Sequence, residues 1–292
     1  MSAEPSHPYR VLDVFTRTPL SGNQLAVFTQ GEVVPSRLML AAARELHLSE
    51  TVFLLPGDAE ADASVRIFTP DVELPFAGHP VLGAAFVVAA REQLSMVRLR
   101  TGAGVVPIVL SREHGDLVFG EMEQPLPTVQ AFRPQEELLR ALGGVQPVLP
   151  VEVYDNGATH VMVGLADAES VARLEPDMSA LARLGPIGVS CFGPVQQTPA
   201  GEAQARVHSR VFCPGMGVPE DPATGSAAGP LALHLVRHGC LAAGETLEII
   251  QGLSLQRPSQ LFARVAGPVH EPERVTVGGS AVVVAQGMFR LS

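Results

Sequence analysis

The chain carries one phrase twice, and that repeat limits what it can fold into. Residues 66 to 79 read RIFTPDVELPFAGH, and residues 210 to 226 read RVFCPGMGVPEDPATGS. Arg66, Phe68, Pro70 and Pro75 align with Arg210, Phe212, Pro214 and Pro219. After three inserted residues, Gly78-His79-Pro80 falls opposite Gly225-Ser226-Ala227. Each copy then runs into a small-residue apolar stretch of helical character. A strand, a proline-rich turn and a helix start are therefore expected in both halves. Two such helix starts facing each other would make a cleft.

At 292 residues the length allows one large domain or two of ordinary size, and the repeat favours two. Apolar content of 46% against 17% charged residues indicates a filled core. A net charge of −10 argues against nucleic acid and anionic membrane surfaces, which select clustered Lys and Arg. The first residues read as no signal peptide, and no apolar run reaches the ~18 residues of a membrane span. Cys191, Cys213 and Cys240 match neither a zinc spacing nor a Cys-x-x-Cys redox motif. They read as buried small hydrophobes in a reduced, cytoplasmic setting.

Short strands rich in Val and Ile recur along the chain, including 9–15, 25–29, 51–55, 64–68, 96–100, 105–110 and 117–122. Residues 35–48 and the stretch after Gly78 read as helices. Residues 123–134 read as a connection. In the second half, strands are expected at 146–155, 160–165, 187–192 and 204–212, with helices over 167–184 and 226–238. Strands then follow to the C-terminus. The pattern predicts an α+β fold of two mixed lobes, 1–125 and 126–276, each a curved sheet around one apolar helix. The terminal strands, 277–292, can close either lobe.

Three side chains carry candidate chemistry. Asp221-Pro222 ahead of Thr224-Gly225-Ser226 is a good helix opening. It also puts a carboxylate, a hydroxyl and exposed amides within one turn, where an anionic ligand can bind. Gly225 permits close approach to the backbone. His79, between Gly78 and Pro80, reads either as a helix cap or as a functional imidazole kept neutral by the helix N-terminus. Glu50 reads either as a surface carboxylate at a helix-to-strand junction or as a desolvated acid/base with a raised pKa. His234 and His238 have metal-pair spacing, but no third ligand is visible, so no metal is expected. There is no dinucleotide fingerprint, phosphate loop or nucleophile elbow, so neither a nucleotide cofactor nor a serine hydrolase has local support.

The residues also carry a resemblance. Ser49-Glu50-Thr51-Val52-Phe53, Arg66-Ile67-Phe68-Thr69-Pro70 and Leu74-Pro75-Phe76-Ala77-Gly78-His79-Pro80 resemble the PhzF-like, or phenazine-biosynthesis-like, family. Glu220-Asp221-Pro222-Ala223-Thr224-Gly225-Ser226-Ala227 is similar to that family's second signature, as are Asp13-Val14-Phe15, Gly22-Asn23 and Val275-Thr276-Val277-Gly278-Gly279. The resemblance spans essentially the whole chain. It implies a fold similar to diaminopimelate epimerase, with the site between two pseudo-symmetric lobes. It also implies an isomerase that works without a cofactor on a small carboxylic acid, and a homodimer. The residue matching Glu50 is then the general acid/base, and those matching His79, Asp221 and Ser226 contact the substrate. Racemases of this fold use two facing thiols; no cysteine occupies 78–81 or 224–227 here, which favours a one-carboxylate isomerisation. A non-catalytic binder of cyclic acids on the same scaffold is the alternative.

Overall fold

A computed structural model describes residues 6–198 and 205–291. Residues 1–5, part of the segment read as lacking a signal peptide, lie outside this range, as does Gln204, the first residue of an expected strand. The chain divides into two compact units, residues 1–123 with 278–292, and residues 124–277. Among the described residues no helix is long and apolar enough to cross a membrane.

The first unit opens with β1 (Ser6–Val14) and β2 (Asn23–Phe28), followed by α1 (Ser36–Leu46). β3 (Glu50–Pro56), β4 (Ala63–Phe68) and the two-residue β5 (Glu73–Leu74) lead into α2 (Gly78–Glu92). β6 (Met96–Thr101), β7 (Gly104–Glu113) and β8 (Asp116–Gln124) follow. β1 and β2 run antiparallel, β2 and β3 parallel, and β3 and β4 antiparallel. β4 then pairs parallel with β6, which pairs antiparallel with β7.

The second unit repeats that order of strand pairing, with added elements. β9 (Thr128–Ala131) and α3 (Gln135–Ala141) precede β10 (Glu152–Asp155) and β11 (Thr159–Gly164). α4 (Ala168–Ala172) and α5 (Met178–Arg183) cross to β12 (Gly188–Phe192) and the short β13 (Gln196–Gln197). β14 (Ala205–Cys213) and β15 (Val218–Asp221) lead into α6 (Gly225–Arg237). β16 (Thr246–Gln251), β17 (Ser259–Ala266) and β18 (Arg274–Gly279) complete it. β10–β11 is antiparallel, β11–β12 parallel, β12–β14 antiparallel, β14–β16 parallel and β16–β17 antiparallel. The final strand, β19 (Ala281–Arg290), returns to the first unit and pairs antiparallel with β1.

Both long helices are apolar on all sides. Every residue of α2 from Gly78 to Ala89 is buried, and so is α6 from Ala227 to Val236. A helix with no polar face has to be enclosed. The repeated phrase supplies a matching brace in each unit. Arg66 donates two hydrogen bonds of 2.7 Å to Glu73, and Arg210 donates bonds of 3.0 and 2.8 Å to Glu220. Each guanidinium also lies over the phenylalanine two residues on, 5.1 Å from Phe68 and 4.9 Å from Phe212. The planar fork of Arg suits both contacts, so the paired Arg-x-Phe sequence fixes β5 and β15 on their neighbouring strands.

Three expectations are corrected. The segment 123–134 is not simply a connection: it holds the end of β8 and all of β9, which pairs with β10. The expected strand over 146–155 forms only at 152–155, because Pro147 and Pro150 interrupt its hydrogen bonding. The helical region 167–184 is two short helices separated at Pro176, and Asp167 and Asp177 cap them by accepting from Ser170 N and Ala180 N. α3 lay outside the sequence expectation altogether. Among the cysteines, Cys191 and Cys213 are buried but Cys240 is half-buried.

Gly102 and Gly252 follow β6 and β16 and lie against the two proline turns. A Cβ on Gly102 would come within 2.9 Å of Pro75 Cα. A Cβ on Gly252, at φ +77°, would come within 2.7 Å of the Pro222 carbonyl and 2.3 Å of the Arg257 carbonyl. Both obstacles at Gly252 are backbone. Gly252→Ala is expected to lose about 1–3 kcal/mol of stability, measured by denaturant unfolding.

Candidate active site

The start of α2 holds the first candidate group. His79 is the second helical residue, not a cap; the N-cap is Ala77, which makes no side-chain bond. The missing N–H of Pro80 costs nothing in a first turn. His79 is almost wholly buried. Its Nδ1 lies 3.3 Å from Asn23 Nδ2, at the start of β2, and its Nε2 lies 3.4 Å from Glu50 Oε2, at the start of β3. Burial pushes His79 down to about 3, against a hydrogen bond with the Gln24 backbone that pulls the other way. The imidazole is therefore neutral near pH 7. The Glu50 side chain keeps 16% of its surface exposed, so the carboxyl sits at the edge of the core and not within it.

The start of α6 holds the second group. Asp221 is not the N-cap residue of this helix. It ends β15, and the N-cap is Thr224, with no side-chain cap bond. Asp221 Oδ2 accepts instead from the Thr224 hydroxyl at 2.6 Å. Gln251, at the end of β16, closes the turn by donating to the Asp221 carbonyl at 2.7 Å and to Thr224 Oγ1 at 3.0 Å. Ser226 Oγ lies 2.9 Å from His160 Nε2.

Pro230 explains the remaining contacts. It sits inside α6 and has no N–H for the Ser226 carbonyl four residues back. Asn156 supplies the lost donor, with Nδ2 at 3.1 Å from that carbonyl. Gln124 Nε2 donates to the neighbouring Gly225 carbonyl at 2.8 Å. Gly229 leaves room for this, since a Cβ there would lie 2.4 Å from Gln124 Oε1.

The two groups occupy matching places in the repeat but differ in content. The parallel ladder of the first unit opens with Leu25 opposite Glu50; that of the second opens with His160 opposite Gly188. Gly188 thus stands where Glu50 stands. A Cβ at 188 would lie 2.4 Å from His160 Nδ1, so the imidazole fills the space that a side chain would need. In each unit a titratable side chain from this ladder meets the second residue of the helix, Glu50 with His79 and His160 with Ser226. Burial pushes His160 down to about 4, opposed by the charge of Asp155.

The sequence names Glu50, His79, Asp221 and Ser226; the structure adds His160, Gln124, Asn156 and Gln251 as groups in contact with the second helix start. The roles of these four depend on strand register and on Pro230, and no local motif marks them. Cys191 lies in the apolar core of the second unit, and burial pushes its thiol up to about 12, far from a reactive thiolate. A groove of about 530 Å³ lies around the other end of α2, beside Arg10, Arg91 and Glu92, and none of the candidate residues lines it.

The buried histidines make stability depend on pH. His79 and His160 titrate near their ordinary value when unfolded and near 3 and 4 when folded. The unfolded state therefore binds more protons between those limits. Their contribution is complete above about pH 6.5 and is lost as pH falls, by up to about 1.4 kcal/mol per pH unit for each group. Urea unfolding between pH 7 and 5 is expected to show this slope, and His160→Asn to reduce it.

Comparison with known proteins identifies the family. A family model for phenazine biosynthesis-like proteins matches residues 12–287. The chain is 42% identical to a trans-2,3-dihydro-3-hydroxyanthranilate isomerase from Pseudomonas fluorescens, over 98% of this chain and 100% of that protein. A phenazine biosynthesis protein of the PhzF family from Bacillus anthracis superposes with a TM-score of 0.84 at 23% identity, covering 98% of this chain and 100% of that one. A hydroxyproline epimerase from Agrobacterium vitis shares the fold more distantly, with a TM-score of 0.64 at 15% identity over 100% of this chain and 94% of its own. With its α+β architecture, its repeated helix starts and a match over nearly its whole length, the chain belongs to the phenazine biosynthesis-like (PhzF) family of isomerases.

Proposed function

We propose that the chain is a cofactor-independent isomerase that moves a proton, and with it a double bond, within a small cyclic amino or hydroxy carboxylic acid. The observation that supports this best is the Glu50 carboxyl beside a neutral, buried His79 at the start of α2. In this reading Glu50 takes a proton from a ring carbon. The released electron pair forms a new carbon–carbon double bond, and the electrons of the old one take a proton at another carbon from the Glu50 carboxylic acid, whose proton exchanges with solvent at this partly exposed position. Nothing is oxidised and no atom is lost, so one carboxylate serves both as base and as acid. His79 and Asp221 orient the polar groups of the substrate. Ser226 and the helix-start amides at Gly78 and Gly225 hold its carboxylate. His160 and Asn156 position Ser226 without touching the substrate. Homodimer formation belongs to the same proposal.

The P. fluorescens relative is named for trans-2,3-dihydro-3-hydroxyanthranilate, which makes that compound the first substrate to test. Turnover in heavy water is expected to place deuterium on a ring carbon. Glu50→Gln is expected to lower kcat by about 10²–10⁴-fold while leaving ligand affinity within a few-fold. Undiminished turnover in that variant would remove Glu50 from the mechanism. Saturable binding with no deuterium uptake would instead favour a non-catalytic binder.

Ser226→Ala removes one hydrogen bond to a charged group. Its KM is expected to rise about 10–100-fold, with a smaller change in kcat. A fall in kcat alone would show that Ser226 acts in the chemical step and not in binding.

A further inference from the structure

A second polar cluster lies at the other end of α6. His234 is eight residues beyond Ser226, about 12 Å along the helix axis. His234 and His238 share one helix face, and the fold brings them a third group, Glu152 at the start of β10. Glu152 Oε2 lies 3.2 Å from His234 Nδ1 and 2.9 Å from His238 Nε2. The three potential ligand atoms all lie within 4.8 Å of one another. Atoms bound to one tetrahedral zinc at about 2.0–2.1 Å stand roughly 3.3–3.4 Å apart, and the two Glu152–histidine distances lie just short of that spacing.

We propose that Glu152, His234 and His238 form a binding site for a divalent transition metal of the zinc, cobalt or nickel type, joining β10 to the end of α6. Two imidazoles and a carboxylate suit such ions. The cluster lies at the C-terminal end of the helix, where the backbone dipole favours a cation. Both supporting contacts on the carboxylate come from within the unit. The Tyr154 hydroxyl donates to Oε2 at 2.8 Å and also lies 3.1 Å from His234 Nδ1, a contact the ion would replace, and the Arg237 guanidinium lies 3.6 Å from Oε1. Arg237 adds positive charge that opposes a metal, but it sits on the oxygen turned away from both imidazoles. His234 is fully buried, while the side chains of His238 and Glu152 keep 20% and 15% of their surface exposed. That side gives the ion a way in and leaves a fourth coordination position. The site is a brace within the second unit and takes no part in the isomerisation.

The test is titration of chelator-treated protein with Co²⁺, followed by its visible absorption, and displacement of Co²⁺ by Zn²⁺. One equivalent is expected to bind, and Zn²⁺ is expected to raise the thermal unfolding midpoint. His238→Ala, at the partly exposed ligand, is expected to keep the fold by circular dichroism, to weaken binding at least tenfold and to abolish the rise. Glu152→Gln, which keeps the side-chain shape, is expected to weaken binding similarly. Absence of stoichiometric binding, or equal affinity in wild type and His238→Ala, overturns the proposal. Turnover of the cyclic acid is unaffected by either result, so the outcome is separate from the proposed activity.

Discussion

Each unit is organised by a helix that has no side to present to water. α2 and α6 carry no charged residue before their last turns, and they are buried along almost their whole length. Sheet must surround such helices, and only their ends can reach a ligand. The enclosure also sets the electrostatics. An imidazole placed at the mouth of an apolar sleeve loses its hydration, and His79 and His160 are held neutral for that reason more than for any single neighbour.

The helix starts can perform chemistry only if the turns before them hold still. In the first unit Arg66 and Glu73 brace that turn at a partly exposed position, where an ion pair contributes little to stability. In the second, Arg210 and Glu220 are far less exposed, and Arg210 also donates to the carbonyls at the end of α4, including Leu174 at 2.7 Å. The same sequence device is thus a surface clamp in one copy and an internal one in the other. Glu220 is held rigidly next to Asp221, which gives that carboxylate a fixed backbone.

Much of this was legible because it is local. The repeated phrase, the two apolar helices and the helix-start residues follow from periodicity and from proline and glycine placement. Long-range pairing was not legible. Asp221 looked like a cap because Asp-Pro opens many helices, yet here Asp221 belongs to a strand and the helix starts four residues later. His160 gave no signal because its importance comes from standing opposite Gly188 in a parallel ladder. Glu152 is separated from His234 by most of the second unit's sequence, so the histidine pair looked incomplete. β9 was hidden by flanking prolines, which mark connections more often than strands.

Pro230 has a consequence for how the second half can change over time. An ordinary helix locks its first turn through its own ladder of amides, so the position of a residue there is inherited from the helix. Pro230 cuts one rung, and side chains from distant strands, Asn156 and Gln124, hold the first-turn carbonyls of Ser226 and Gly225 instead. The hydroxyl's placement is thereby transferred to residues that need not meet a ligand. A change at either tether would shift the Ser226 hydroxyl while leaving the local sequence around Gly225 and Ser226 as it is.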